Sequence, residues 1–245
     1  MIKLLGLSAL SVCLLTPFAA HASLEDYGVS SSANVGFVSE YSFRGIAQSN
    51  ENPALQGGFD LEHDSGVYAG VWASNVNFND GDEAHMEFDL YGGFTNSIHD
   101  FNYDVGFIYY AYPGADNSLN YDFWEGSVAV GYDFEAFSTS VSVNYSPEYF
   151  GDSGDAFYYA AAVGVPLPND FTLGAHAGLQ TIDDEATFFG TSNPQDSYTD
   201  WSVSLGYTLS GFDLSLQYID TNLDEPDECA DGCDSRVVFG ISKSF

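Results

Sequence analysis

The chain has 245 residues, of which 36 are Asp or Glu and only four are Lys or Arg, so its formal net charge is −32. Nucleic-acid binding needs Lys and Arg against phosphate, and this balance therefore excludes a nucleic-acid partner. Aromatic residues make up 16% of the chain and Met is nearly absent, a composition that favours strands over helices in a single domain.

The N-terminus has the layout of a secretory signal peptide. Lys3 supplies a positive charge, residues 4–18 are almost entirely apolar, and Ala20-His21-Ala22 is a small-x-small cleavage site. The apolar stretch is shorter than the ~20 residues of a membrane-spanning helix; a buried N-terminal helix is the alternative. We predict a cleaved signal peptide at 1–22 and one exported domain at 23–245.

Alternating apolar and polar residues predict twelve strands in the exported domain. Most are ten residues or longer, and a tilted membrane strand needs ~9–11. Their approximate bounds are 34–44, 54–63, 66–77, 84–96, 101–112, 120–134, 137–149, 156–166, 171–182, 197–209, 212–222 and 235–245.

The connections between these segments alternate between tight turns and longer polar stretches. Short periplasmic turns and longer outer loops are typical of outer-membrane barrels, whereas a soluble sandwich shows no such alternation. We therefore predict an all-β fold, a transmembrane antiparallel up-and-down β-barrel of about 12 strands. An even strand count places both termini on the periplasmic side.

The C-terminal segment supports the same localisation. Val237, Phe239 and Ile241 alternate with smaller or polar residues before the terminal Phe245, a pattern that resembles the sorting strand of bacterial outer-membrane proteins. Lys243 departs from it, and near a membrane edge its ammonium would snorkel to the interface. The expected partners are the barrel-assembly machinery, outer-membrane lipids and lipopolysaccharide.

The polar faces of the strands would line a lumen rich in carboxylates. A low-dielectric wall of one charge sign favours cations. Two alternatives stay open: several of these side chains lie in bulk water at strand ends, or the acidity is an adaptation to salty water. The lumen candidates are Glu40, Arg44, Asp60, Glu62, Glu87, Asp89, Asp104, Glu125, Asp200, Asp213 and Arg236.

Arg44 and Arg236 are the only arginines of the chain. In the predicted barrel Arg44 ends the first strand and Arg236 opens the last, so both would lie near the outer rim at the seam and point inward. They either face the acidic wall at a constriction or pair with Glu40 or Asp60 and hold the seam.

Two sequence features could bind metal, and both have a simpler interpretation. Cys229 and Cys233 lie in an exported chain, where a short-range disulfide is favoured over a metal site. The acidic residues from Asp224 to Asp234 lack the spacing of an EF-hand loop, so the alternatives are a solvated loop and a divalent-cation site. We predict no metal and no cofactor.

Catalysis is not expected, because the histidines after the signal peptide are scattered and no nucleophile motif surrounds them. Only His176 has a predicted lumenal position, where it would be a polar wall residue. The four histidines are His63, His85, His99 and His176.

Three consecutive stretches carry a family resemblance. They are Tyr41-Ser-Phe43-Arg44-Gly45-Ile46-Ala-Gln48-Ser49, Pro53-Ala54-Leu-Gln56-Gly57-Gly58-Phe-Asp60 and His63-Asp-Ser65-Gly66-Val-Tyr68-Ala-Gly70-Val-Trp72-Ala-Ser74-Asn75-Val76. Here the sequence resembles the TorF-type porin family of proteobacteria, although Ala47 replaces a common Ser. The resemblance implies an outer-membrane barrel and leaves the solute undefined.

These observations predict a porin-like channel for passive diffusion of small polar solutes, cation-favouring because of its acidic lumen. A barrel of twelve strands lies between side-chain-filled and water-filled sizes, so we expect a narrow pore. The alternative is a non-transporting structural or interaction protein with a plugged lumen and acidic surface loops. Whether the chain forms homo-oligomers, and whether the stretch Gly45–Pro53 folds inward, are left open.

Overall fold

The computed structural model describes residues 27–78 and 84–245, so the predicted signal peptide at 1–22 lies outside the described residues. Strands dominate the described part, joined by one short α-helix and one 3₁₀ turn. In chain order the elements are β1 (Val29–Val38), β2 (Ser42–Phe43), β3 (Ile46–Ala47), β4 (Ala54–His63), β5 (Val67–Asn75), β6 (Met86–Ile98), β7 (Phe101–Ala111), a 3₁₀ turn (Asn117–Leu119), β8 (Phe123–Asp133), β9 (Ser138–Ser146), β10 (Ala156–Leu167), β11 (Phe171–Ile182), α1 (Glu185–Phe189), β12 (Ser197–Leu209), β13 (Phe212–Thr221) and β14 (Arg236–Ser244).

Twelve of these strands close into one antiparallel barrel, which confirms the predicted fold class. Each barrel strand pairs with its neighbours in sequence, and β1 closes the seam against β14 in antiparallel register, with Phe37 opposite Ile241. The two remaining strands, β2 and β3, form a separate small hairpin. In the described part of the chain, no helix is long and apolar enough to cross a membrane.

The first predicted strand is wrong at both ends. It was expected at 34–44, but β1 begins at Val29 and ends at Val38. Apolar and polar residues continue to alternate through Tyr41 and Phe43, so the period alone does not mark the end of the strand. Ala54–His63, Phe171–Ile182 and Ser197–Leu209, by contrast, have the predicted bounds.

The two ends of the barrel differ in their connections, as the sequence predicted. At one end, here called the turn end, the links comprise residues 64–66, 99–100, 134–137, 168–170 and 210–211. Phe245 lies at this end, where its backbone N–H donates to the Ala33 carbonyl over 2.8 Å. At the opposite loop end the connections are longer, and the first of them spans residues 39–53.

The outer wall of the barrel is apolar. Val141 is 59% exposed and Val237 61% exposed, whereas the polar members of the same strands point into the barrel. Aromatic pairs border this band near both ends, Phe171 with Tyr207 at the turn end and Trp201 with Tyr218 nearer the loop end. An apolar band between aromatic girdles is the arrangement of a barrel surrounded by lipid.

Candidate functional site

The first long connection folds into the barrel. Within it β2 and β3 pair through Phe43 and Ile46, and the two turn residues, Arg44 and Gly45, have φ values of 49° and 84°. Two successive positive φ values make a type I′ hairpin turn, and a non-glycine residue there is uncommon. We call residues 39–53 the inward loop, and Arg44 stands at its tip.

The Arg44 guanidinium is enclosed by groups from the barrel wall and from the connection between β9 and β10. Its Nη2 donates to Glu125 Oε2 and its Nη1 to Gln180 Oε1, both over 2.7 Å. The ring centroids of Tyr158 and Tyr149 lie 4.2 and 5.9 Å from its central carbon. We call Glu125, Gln180, Tyr149 and Tyr158 the guanidinium cage.

The cage keeps Arg44 charged despite its burial. Burial alone lowers the pKa of the Arg44 guanidinium, but the adjacent Glu125 carboxylate raises it, and the net pKa is well above its usual value. Glu125 is in turn held by donors on neighbouring strands, the Tyr110 hydroxyl and the Asn144 amide, each 3.3 Å from Oε2. One carboxylate oxygen therefore anchors groups from β7, β9 and the inward loop.

Two further carboxylates lie near the cage with very different surroundings. Glu87 accepts one hydrogen bond from Tyr41 of the inward loop and one from Tyr112, both 2.7 Å long. Asp89 is only 1% exposed, and neither of its carboxylate oxygens has a hydrogen-bond partner. Glu87 lies two residues before Asp89 on the inward face of β6, and Glu125 lies on the inward face of β8, so three carboxyl groups and one guanidinium share this part of the lumen.

Side chains fill the lumen around Arg44. Eight consecutive barrel strands, β5 to β12, each contribute an inward side chain that is at most 6% exposed. An aqueous channel through this part would leave those side chains exposed, so we call them the packed layer. Its members are Trp72, Asp89, Tyr110, Glu125, Asn144, Tyr158, Gln180 and Asp200.

The lumen nearer the turn end is not filled by side chains and contains free space. A recess open to solvent, here called the chamber, lies against the inner faces of β1, β4 and β11 to β14. Glycine, serine and threonine dominate its inward positions. Asp213 is the acidic residue among its strand positions and accepts a 2.7 Å hydrogen bond from Thr208, and Asp170 of a turn also lines it. The residues at inward strand positions that line the chamber are Gly36, Gln56, Thr172, Gly206, Thr208, Asp213, Ser215, Gly240 and Ser242.

The other acidic candidates of the lumen wall are spread along it. Asp60 accepts a hydrogen bond from Tyr91, and Asp104 accepts one of 3.1 Å from Tyr68. Glu62 lies on the same face of β4 as Asp60, two residues closer to the turn end. These three carboxylates lie at separate places on the wall. Four other charged residues form one cluster: Glu87, Asp89, Glu125 and Arg44.

The expectation that both arginines lie at the seam is correct for Arg236 and wrong for Arg44. Arg236 lies 3.6 Å from Glu40 and donates to the Gly45 carbonyl over 3.2 Å, so it supports the base of the inward loop. Burial raises the pKa of Glu40, while the Arg236 charge lowers it by a smaller amount. Arg44 is carried away from the seam because the chain turns inward after Val38.

The last connection at the loop end, residues 222–235, braces the inward loop. Cys229 and Cys233 form a disulfide, and between them the Gly232 carbonyl accepts a 2.8 Å hydrogen bond from the Ala47 backbone. The Thr221 hydroxyl donates to the Cys233 carbonyl over 2.8 Å. Glu225 is close to both sulfurs, but the sulfurs are bonded to each other.

His176 belongs to a cluster that the sequence did not reveal. Its Nε2 lies 2.8 Å from the Tyr158 hydroxyl and 3.2 Å from Asp200 Oδ1, and Tyr158 also donates to Asp200 over 2.9 Å. His176 is therefore a lumenal wall residue. Sequence reasoning also missed Gln180 and Tyr158 as partners of Arg44, although their inward positions follow from the alternation of β11 and β10.

Comparisons with known proteins show a family and a shared barrel fold. A family model described as a bacterial protein of unknown function (Gcw_chp) matches residues 22–245, and no curated protein matches the sequence. A membrane protein solved in a study of in-meso crystallisation is 10% identical, with a TM-score of 0.52 over 88% of this chain and 83% of that one. OmpF of Salmonella typhi, solved with daunomycin, is 10% identical with a TM-score of 0.47, covering 89% and 97% of the two chains.

Proposed function

Because the chain belongs to the Gcw_chp family of bacterial proteins of unknown function, we propose its function from the barrel itself: it is an outer-membrane channel for small polar solutes that the inward loop holds closed. Passage through it is passive, favours cations and makes or breaks no covalent bond. The resemblance to TorF-type porins stays a prediction.

One observation carries this proposal, the division of the lumen into an open chamber and a packed layer. Eight-stranded barrels are filled by the side chains of their own strands, whereas wider barrels leave space. In this twelve-stranded barrel the wall side chains of the packed layer fill the lumen together with a tethered loop, which has Arg44 at its tip. Since a loop moves far more easily than a barrel strand, displacement of residues 39–53 would join the chamber to the loop end.

The preference for cations rests on the charges that would line the opened path. Asp60, Asp104 and Asp213 face the lumen below or beside the packed layer. Removal of the inward loop from the lumen would also uncover Glu125, whose present counter-charge is Arg44. A low-dielectric wall of one charge sign concentrates ions of the opposite sign.

The second candidate is a non-transporting envelope protein whose lumen is permanently filled. The observation in its favour is the tight seating of Arg44, with two 2.7 Å hydrogen bonds and almost no exposure. Its acidic outer loops would then bind cations or partners at the cell surface.

Planar-bilayer recordings on two refolded proteins separate the candidates. The register pairs Val38 with Ala54, so an Asn-Gly turn can replace residues 39–53 without shifting either strand. We expect the loop-replaced barrel to conduct steadily and the wild type to show discrete openings of similar conductance, both cation-selective under a potassium chloride gradient. Folding is verified for both by circular dichroism and heat-modifiable electrophoretic mobility.

The outcomes separate the proposals clearly. A folded loop-replaced barrel that does not conduct would contradict any channel function. A wild type that never opens, beside a loop-replaced barrel that conducts, would favour the permanently filled envelope protein.

A further inference from the structure

We propose that the guanidinium cage is a binding site for small guanidinium-bearing solutes, and that Arg44 occupies it as a tethered substitute for them. This inference rests on the proposed channel function and names its solute class. A solute that displaces Arg44 would enter the lumen at the cage and release the inward loop.

The cage recognises the shape of a guanidinium and not only its charge. Glu125 and Gln180 accept from two different terminal nitrogens, both over 2.7 Å. The Tyr158 ring lies 4.2 Å from the central carbon, the distance at which an aromatic face attracts a flat cation. Two acceptors that meet separate nitrogens of one planar fork suit a guanidinium better than a compact ammonium.

Arg44 leaves one hydrogen-bond donor unused in the cage and has a strained backbone. Its Nε has no hydrogen-bond partner although it is buried, and its backbone adopts a left-handed conformation at φ 49°, which is costly for a residue with a side chain. A free guanidinium compound would make the same contacts without the backbone cost. Arg44 is therefore a replaceable occupant.

Asp89 supplies a second and independent sign that a cation belongs here. Asp89 is only 1% exposed, and neither of its carboxyl oxygens has a hydrogen-bond partner. Its cross-strand neighbours on the inward face are Trp72 and Tyr110, so aromatic rings flank an unpaired carboxylate. A solute with a guanidinium and a second hydrogen-bonding group would find a carboxyl group for each, Glu125 and Asp89.

Competition with a tethered group sets the concentration scale. A short flexible tether gives its end group an effective concentration in the millimolar range. A free solute of similar intrinsic affinity must reach about that concentration to displace Arg44, so the gate would respond to millimolar solute. Removal of the Arg44 side chain should leave the cage open to the same solutes at lower concentrations.

The first test is refilling of the cage in a folded Arg44→Ala variant with methylguanidinium, using methylammonium as the matched control. We expect millimolar methylguanidinium to raise the thermal unfolding midpoint of Arg44→Ala towards that of the wild type, and to bind at least about tenfold more tightly than methylammonium, because a charge-assisted hydrogen bond to a second acceptor contributes that factor. Adding Glu125→Gln to the variant should abolish the effect. Equal responses to both cations would overturn the proposal.

The second test uses the loop-replaced barrel and does not depend on the folding of Arg44→Ala. Methylguanidinium should reduce the potassium current of this barrel at concentrations at which methylammonium has no effect. Glu125→Gln should remove the block. Free L-arginine and a short arginine-containing peptide then distinguish small solutes from peptides, and a block by the peptide alone would contradict a small-solute site.

The two proposals fail in different ways. A conducting loop-replaced barrel that methylguanidinium does not block would leave the channel standing and reject the cage as a solute site. Saturable refilling of Arg44→Ala by methylguanidinium, together with a folded loop-replaced barrel that does not conduct, would keep the cage as a binding site and reject the channel.

Discussion

Gly45 shows at the scale of one residue how closely the inward loop fits the lumen. Its φ is 84°, and a Cβ added there would lie 2.5 Å from Thr221 Cγ2 and 2.8 Å from Asp200 Cβ. Glycine thus meets two requirements at once: a left-handed backbone and a close approach of the hairpin tip to the wall.

Gly45→Ala should therefore destabilise the closed loop, and Gly114→Ala is its matched control. Gly114 has a similar φ of 97° but nothing within 4 Å of an added Cβ, so the two variants share the backbone cost of roughly 1–2 kcal/mol and differ in the clash. We expect Gly45→Ala to lose more unfolding free energy and to open more often in bilayers. Equal behaviour of the two variants would show that the hairpin tip has room to adjust.

At the scale of elements, the connection between β13 and β14, residues 222–235, stabilises the inward loop. The disulfide Cys229–Cys233 encloses Gly232, whose carbonyl holds the Ala47 backbone at 2.8 Å. A loop this short contributes about 2 kcal/mol through the entropy of the unfolded chain. Its position, however, links it to closure of the lumen as well as to stability.

Reduction of this disulfide should raise the open fraction of the wild-type channel and lower its unfolding free energy by about 2 kcal/mol. Single-channel recording and urea unfolding, each with and without a thiol reductant, measure the two effects. The Cys229→Ser/Cys233→Ser variant should resemble the reduced protein and show no response to the reductant. If reduction lowers stability but leaves gating unchanged, the brace on Ala47 does not control the loop.

The elements that sequence alone predicts are those whose pattern is local. Alternation with period two predicted the barrel strands, because each strand has lipid-like surroundings on one face and a polar lumen on the other. The chain leading into the hairpin of the inward loop has the same alternation through Tyr41 and Phe43, since it too has one face against an aromatic cluster. Its direction depends on contacts with distant strands, which no local pattern records.

The same limit applies to the candidate site. The inward direction of Glu87, Asp89 and Glu125 followed from alternation, but the pairing of Arg44 with Glu125 joins residues 81 positions apart. Nothing near Arg44 in the sequence specifies that partner. Placing Arg44 on the first strand also moved its expected position to the seam, so one wrong strand boundary produced one wrong contact.

At the scale of the whole molecule, the acidity has two separable sources. Some carboxylates line the lumen, whereas others lie on the outer loops, such as those around α1. Exposed charges act over a Debye length of about 8 Å at physiological salt, and lumenal charges are screened less. A channel whose selectivity arises in the lumen should therefore respond to lumenal substitutions and not to those on the loops.

Two triple variants of the loop-replaced barrel test this. The lumen variant combines Asp60→Asn, Asp104→Asn and Asp213→Asn. The loop variant combines Asp183→Asn, Asp184→Asn and Glu185→Gln. Both remove three charges, and Asn at 184 still caps α1, where the Asp184 carboxylate now accepts from the Thr187 backbone over 3.0 Å.

We expect the lumen variant to lower the ratio of potassium to chloride permeability several-fold, because its charges focus cations inside a low-dielectric wall. The loop variant should leave the ratio at 0.15 M salt nearly unchanged, since its charges are exposed and screened. Reversal potentials under matched gradients measure both. An equal or larger effect of the loop variant would place the selectivity at the mouth of the barrel, and the lumenal carboxylates would then serve mainly to hold the tyrosines that pack against them.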